Sequence, residues 1–300
     1  MNAGPYTSLE SAVKGCFGEN VYIEKSSGLF LSDINSVKTL YLSNGKKVFL
    51  KLNSAENIDI FRAEEEGLQA IKDTGTIKIP CLFCKGTDEE TGVSFLMMEK
   101  IETGRSNEHT WRSMGYAFAA MHLADTDRFV SGGKYGFLRD NYIGSSKQIN
   151  DPNDSWIDFF RECRLKPQFI MAEKSFDHQS ARAVIKLMDR LDSILSEPEY
   201  PSLLHGDMWG GNYLVGKDGK AVLIDPAAYV GHSEADIAMT QMFCPMPPEF
   251  YEAYYEKIPR QAGYEDRREI YNLYHILNHF NLFGGDYLMW ALRIIRHFTG

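Results

Sequence analysis

An aspartate and an asparagine stand five positions apart in HGDMWGGN, His205 to Asn212, and a second aspartate follows at Asp225 in NYLVGKDGKAVLID. Carboxylate and amide oxygens are hard donors that suit a cation such as Mg2+. A positioned carboxylate can also accept the proton of an attacking hydroxyl. Glycines at 206, 210 and 211 argue against helix and strand, so the stretch reads as a loop at a strand end, where functional residues concentrate. Taken alone, it is equally a connector whose acid and amide cap local backbone. The segment that follows argues otherwise. Asp218-Gly219 reads as a two-residue hairpin turn, which pairs Val215 with Val222, Leu214 with Leu223 and Tyr213 with Ile224. One step further, Asn212 is expected opposite Asp225 and close to Asp207.

The elements that must position these groups are legible upstream. VKTLYLSNGKKVFLKL reads as a hairpin with Asn44-Gly45 at its centre, pairing Ser43 with Lys46, Tyr41 with Val48 and Lys38 with Lys51. Lys51 then lies inside an apolar strand; an edge-strand lysine that discourages aggregation is the plainer reading of it. In IDIFRAEEEGLQAIKD, Phe61, Glu64, Leu68 and Ile71 share one helical stripe, so Glu64 rides on the apolar face and Glu65 points elsewhere. Val93 to Met98 is a further strand. From Arg105 onward the pattern turns helical, through TWRSMGYAFAAMHLAD, DSWIDFFRECRL, SARAVIKLMDRLDSIL, RREIYNLYHILNHFNLF and YLMWALRIIRHF. The spacing predicts an α+β chain: a small part, mostly strand with one helix, then a larger helical part, joined near Glu99 to Gly104.

The composition narrows the function classes. At 300 residues, 44% hydrophobic and 24% charged, the chain is an ordinary folded protein of one or two domains. A formal charge of -9 with no Lys/Arg run argues against nucleic acid and anionic membranes as partners, and suits a neutral or cationic small substrate. No stretch approaches a membrane span, and MNAGPYTSLE lacks the basic head and apolar core of a signal peptide. Five cysteines in a chain this long read as reduced thiols of a cytoplasmic protein. Cys81 and Cys84 form a C-x-x-C with no second pair nearby, which favours a structural role over redox chemistry or zinc.

With Lys51 on a strand and Glu64 on the next helix, the set resembles the protein-kinase-like fold, in which a strand lysine meets nucleotide phosphates and a helix glutamate holds the lysine. The D-x-x-x-x-N spacing of its catalytic loop matches Asp207 to Asn212, and IDPA at 224–227 stands where protein kinases carry D-F-G. HGD in place of H-R-D points to the small-molecule branch, with its aminoglycoside and choline kinases. Within that branch LLHGDMWGGN, IDPAAYVGHSEADIAM, DNYIGSSKQIN, WIDFFRECRLKPQ and LFGGDY resemble the fructosamine kinase (ketosamine 3-kinase) family, from about residue 30 to residue 290. The W-G-G insert at 209–211 and the run GHSEAD at 231–236 separate this family from its aminoglycoside-kinase cousins.

The resemblance implies a bilobal enzyme with a nucleotide-binding lobe and hinge at 1–104 and a helical lobe with the catalytic loop at 105–300. It implies transfer of the γ-phosphate of ATP to the 3-hydroxyl of a ketoamine, free or protein-linked, as deglycation repair. Asp207 would orient the hydroxyl and take its proton, Asn212 and Asp225 would hold Mg2+, and Lys51 braced by Glu64 would meet the phosphates. Backbone groups at Glu99 to Ile101 would carry the adenine. The phosphate loop departs from the family, since GLFLSDINS has Leu31-Ser32 where paired glycines are usual; Ser32 and Asn35 could still donate hydrogen bonds there. His205 is expected to brace the loop, and His232, Glu234 and Asp236 to organise the site from behind. Trp209 offers a stacking surface for substrate, Trp156, Phe159 and Phe160 read as core, and Arg161 and Arg164 as a solvated helix end. Two other readings are a kinase for an aminoglycoside, choline or similar molecule, and a catalytically silent nucleotide-binding module.

Overall fold

The computed structural model describes residues 6–31 and 36–300. Ser32 and Asn35 lie outside them. Near the start, α1 (Leu9–Phe17) is held by a capping box between Ser8 and Ser11. It precedes a five-stranded antiparallel sheet of β1 (Ile23–Leu31), β2 (Ser36–Leu42), β3 (Lys47–Ser54), β4 (Leu82–Asp88) and β5 (Val93–Glu99), with α2 (Ile58–Asp73) inserted after β3. The strand order is β1-β2-β3-β5-β4. Strand alternation assigns the two faces. Val48 and Leu50 of β3 join Leu40, Leu42, Phe95 and Met97 beneath Ala12 and Val13 of α1. On the opposite face Leu82, Leu96 and Met98 pack with Phe61 and Leu68 of α2. Lys51, one residue beyond Leu50, therefore projects towards α2. Since β3 is flanked by β2 and β5, the edge-strand reading of Lys51 does not hold.

Two expectations for this part need correction. It contains two helices rather than one, because α1 is too short for its apolar repeat to stand out. The first hairpin is also shifted by one residue: Val37 faces Lys51, and Leu40 faces Val48. The loop is Ser43-Asn44-Gly45, closed by Gly45 N–H to Leu42 O (2.8 Å) and Leu42 N–H to Lys46 O (2.9 Å), with Gly45 at φ 79°. That is a three-residue loop ending in a left-handed glycine, not a two-residue turn.

After β5 the chain runs along the second hairpin. Gly104 N–H donates to Val215 O (2.8 Å) and Lys217 N–H to Glu102 O (3.0 Å). The remainder is helical with short strand pairs. It comprises α3 (Glu108–His122), β6 (Asn141–Ile143), β7 (Ser146–Gln148), α4 (Trp156–Phe159), α5 (Lys166–Ala172) and α6 (His178–Ile194). These are followed by β8 (Ser202–Leu204), β9 (Tyr213–Val215), β10 (Ala221–Leu223), β11 (Tyr229–Gly231), α7 (Ser233–Thr240), α8 (Pro248–Tyr255), α9 (Tyr264–Phe283) and α10 (Tyr287–Thr299). Between α4 and α5 the helix widens to π geometry over Phe160–Leu165. Trp156, Phe159 and Phe160 are core, as expected. Among the described residues, no helix is long and apolar enough to cross a membrane.

Candidate active site

The β9–β10 hairpin repeats the register shift of the first. Val215 faces Ala221 and Tyr213 faces Leu223, because the loop is Lys217-Asp218-Gly219 with Gly219 at φ 74°. Asn212 O consequently accepts from Ile224 N–H (3.0 Å), and Asp225 lies one residue past that pair instead of opposite Asn212. The hairpin still brings the two together. Asp225 is the one non-glycine at positive φ (56°) among the described residues, a conformation that aspartate tolerates better than most. Strain of this kind concentrates at functional sites.

Around this turn the residues singled out in the sequence converge. Lys51 is 4% exposed, with Nζ 2.7 Å from Glu64 Oε1 and ion-paired also to Asp225 Oδ1. Burial opposes the charge on Lys51, but Asp225 and Glu64 outweigh it and hold the ammonium above its ordinary value. Burial likewise raises the Glu64 carboxyl, to about 7, with Lys51 pulling against the rise. Glu65 faces away and pairs with Lys85. The α2 helix is fixed from outside by Arg139, which reaches Asp59 (3.0 Å) and Glu66 (2.5 Å).

Asn212 donates its amide nitrogen to Asp207 O (2.7 Å) and Asp207 Oδ2 (2.9 Å), which leaves the amide oxygen for another partner. Burial raises the Asp207 carboxyl to about 7, Asn212 opposes this, and Asp225 and Asp236 add to it. The loop behind Asp207 is rigidly held. Gly206 has φ 81°, and a Cβ there would meet Ala227 O at 2.0 Å. Asp236 accepts from His205 N–H (2.7 Å) and Gly206 N–H (2.8 Å), and His122 and Tyr254 extend the chain of hydrogen bonds. His205, kept neutral by burial, spans Ile224 O (2.9 Å) and Asp207 N–H (3.3 Å). It braces the loop, as expected. Of the three residues expected behind the site, Asp236 does this work; Glu234 instead pairs with Arg267, and His232 caps α7.

Lys51, Glu64, Asp207, Trp209, Asn212 and Asp225 all line one cavity of about 700 Å³. Its far wall was not foreseen: Phe243, His279 and Tyr287 stand beyond Trp209, with the Trp209 and Phe243 rings 6.4 Å apart and edge-on. Also unforeseen is a buried polar network beneath the turn after Asp225. Asn141 donates to Ala228 O (2.7 Å) and Gln148 to Ala227 O (3.0 Å), while Asn150 links Asn141 to Arg164 (3.0 and 2.7 Å). Arg164 is fully buried, its guanidinium 3.8 Å above the Tyr229 ring, so it is no solvated helix end. Arg161 is half-buried within the continuous helical run from Trp156 to Ala172, not at its end, and pairs with Asp158 and Asp192. The polar positions of DNYIGSSKQIN were the available signal, and in the sequence that stretch served only as a family motif. Glu99 and Ile101 stand where β5 ends, outside this cavity; the Glu99 carboxylate accepts Cys81 N–H (3.1 Å). Cys81 is exposed and Cys84 buried, and all five cysteines are free thiols.

Chemically, the cavity offers a buried cation, a carboxylate of raised pKa and a carboxylate–amide oxygen pair. The partly exposed Asp225 carboxylate and the Asn212 amide oxygen left over by its two donor bonds fit a magnesium ion that takes its remaining ligands from phosphates and water. The fructosamine kinase family profile matches residues 6–299. A ketoamine kinase candidate of Synechocystis sp. is 36% identical over 97% of this chain and 96% of its own. The chloroplastic protein-ribulosamine 3-kinase of Arabidopsis thaliana is 39% identical over 85% of this chain and 77% of its own. A candidate fructosamine-3-kinase from Haemophilus somnus, known as a crystal structure, superimposes with a TM-score of 0.86 at 27% identity, covering 99% of this chain and 98% of that one. The chain, with its bilobal protein-kinase-like fold, belongs to the fructosamine kinase family.

Proposed function

We propose that this protein transfers the γ-phosphoryl group of ATP to the 3-hydroxyl of a ketosamine, the adduct a sugar forms with an amine or a protein. Family membership carries the use of ATP and a hydroxyl acceptor. The observation that carries the chemistry is the convergence of Lys51, Glu64, Asp207, Asn212 and Asp225 on one cavity beside the W-G-G insert. Asp207 orients the acceptor hydroxyl and accepts its proton, with Asn212 holding one carboxylate oxygen so that the other faces the substrate. Lys51, braced by Glu64, leaves Asp225 to meet the phosphates. The Asn212 oxygen and Asp225 would hold Mg2+, which supplies charge neutralisation when bound. Main-chain groups at Glu99 to Ile101 would carry the adenine, and Trp209 would face the sugar. Phosphoryl transfer asks chiefly for positioning and charge stabilisation, which this set provides. Phosphorylation at that carbon makes the adduct unstable, so the activity removes sugar from glycated amines. Free thiols throughout fit a reducing compartment, and we place the protein in the cytoplasm.

The test is ATP consumption across ketoamines of four-, five- and six-carbon sugars, with free sugars and aminoglycosides alongside. Turnover confined to ketoamines is expected. Equal turnover of an aminoglycoside and a ribulosamine would remove the substrate assignment, and no turnover at all would favour a silent nucleotide-binding module.

A further inference from the structure

The cavity does not end at its aromatic wall. Tyr287 lines it and also lines an open groove of about 1000 Å³ along α10, with Asp286, Met289, Trp290, Arg293 and Arg296. Near the cavity the surface is apolar, with Phe283 50% and Met289 62% exposed. Large apolar side chains clustered beside a site mark a surface that something covers. Further along, the groove turns cationic. Asp286, Met289, Arg293 and Arg296 recur three or four positions apart and so form one stripe of the helix. Among the described residues neither arginine side chain is ion-paired or hydrogen-bonded, although Asp177 lies near enough to feel Arg296. Asp286 stands at the cavity end of the groove and Asp177 beside Arg296, so the outer groove presents Arg293 as its least offset charge. In a chain of net charge -9, this cationic stretch on an apolar groove selects an acidic occupant.

We propose that this groove docks the polypeptide that carries the ketosamine, through acidic residues near the modified side chain. The inference rests on the ketosamine kinase reading above. The helix rise sets the spacing: Arg293 and Arg296 lie six and nine residues beyond Tyr287, roughly 9–14 Å along the axis. An extended peptide covers that distance in about three or four residues. Met289 and Trp290 meet the apolar stretch between the adduct and the acids.

The test compares kcat/KM for three acceptors: free ribulosyllysine, a ribulosylated peptide with acids three and four residues from the modified lysine, and its counterpart with lysines there. The acidic peptide should lead the basic one by on the order of tenfold at low salt, with the gap closing at high ionic strength. R293E/R296E should invert that order while leaving free ribulosyllysine unchanged. Equal kcat/KM for the two peptides, or a preference that survives the double reversal, would overturn the docking groove. Failure of the unmodified protein to phosphorylate any of the three acceptors would instead refute the kinase reading, and the groove with it.

Discussion

A carboxylate that takes a proton in the rate-determining step works best with a pKa near the working pH. Burial and the neighbouring Asp225 and Asp236 bring Asp207 to about 7, so the acid limb of kcat/KM should fall near neutrality instead of in the ordinary carboxylate range. A limb below pH 5 would show that another group titrates. The same shift has a stability consequence of fixed sign. A carboxyl whose folded pKa is raised favours the folded state below its unfolded pKa of about 4, and that contribution is lost as pH rises through about 7. Replacing Asp207 with asparagine removes the loss. The melting temperature of Asp207→Asn relative to the unmodified protein should therefore be more favourable at pH 8 than at pH 4.5; a difference constant with pH would contradict the shift. Asp225 makes a separate prediction. Mg2+-ATP should raise the melting temperature of the unmodified protein, as a ligand of the native state must, by about 2.7 kcal/mol of stabilisation at a hundredfold excess over Kd. Asp225→Asn should lose most of that shift and Asp207→Asn should keep it, which thermal denaturation with and without Mg2+ can read.

The W-G-G insert separates into two unlike glycines once the loop geometry is known. A Cβ on Gly211 would meet the Trp209 ring at 2.4 Å, whereas one on Gly210 would make an ordinary 3.7 Å contact with Cys244. Gly211→Ala should push the indole from its seat and raise KM for the acceptor several-fold, while Gly210→Ala stays near the unmodified value. Equal kinetics for the two would mean that Trp209 does not face the substrate. How much of the structure is legible in the sequence varies with the type of element. The 3.6-residue period put Glu64 on the apolar face of its helix, and the resemblance to the kinase-like fold matched it to Lys51 on the strand; the two pair at 2.7 Å. Both hairpins were misregistered by one residue for a single reason: N-G and D-G suit a two-residue turn and a three-residue loop with a left-handed glycine alike, and local sequence does not choose. The buried Arg164 network was hidden because its partners, Asn141, Gln148 and Asn150, are distant in sequence and typical of loops. Helix α1 escaped because nine residues carry too little periodicity. The phosphate-loop residues Ser32 and Asn35 stand outside the described chain.

For the whole molecule, the sheet supplies the lysine, α2 supplies its brace, and the helical part supplies the loop and hairpin that close the cavity between them. Because Lys51, braced by Glu64 from within its own part, pairs with Asp225 across this junction, the two parts are held in register. The central claim is that they combine to phosphorylate one particular hydroxyl. The most direct measurement is 31P NMR of a ribulosamine incubated with Mg2+-ATP and the protein, with Asp207→Asn as the control. A product phosphorylated at the 3-hydroxyl is expected, formed at least ~10²-fold more slowly by the variant, the usual loss when a general base is removed. Phosphate on another hydroxyl, no phosphorylated sugar at all, or near-normal turnover by Asp207→Asn would contradict the account.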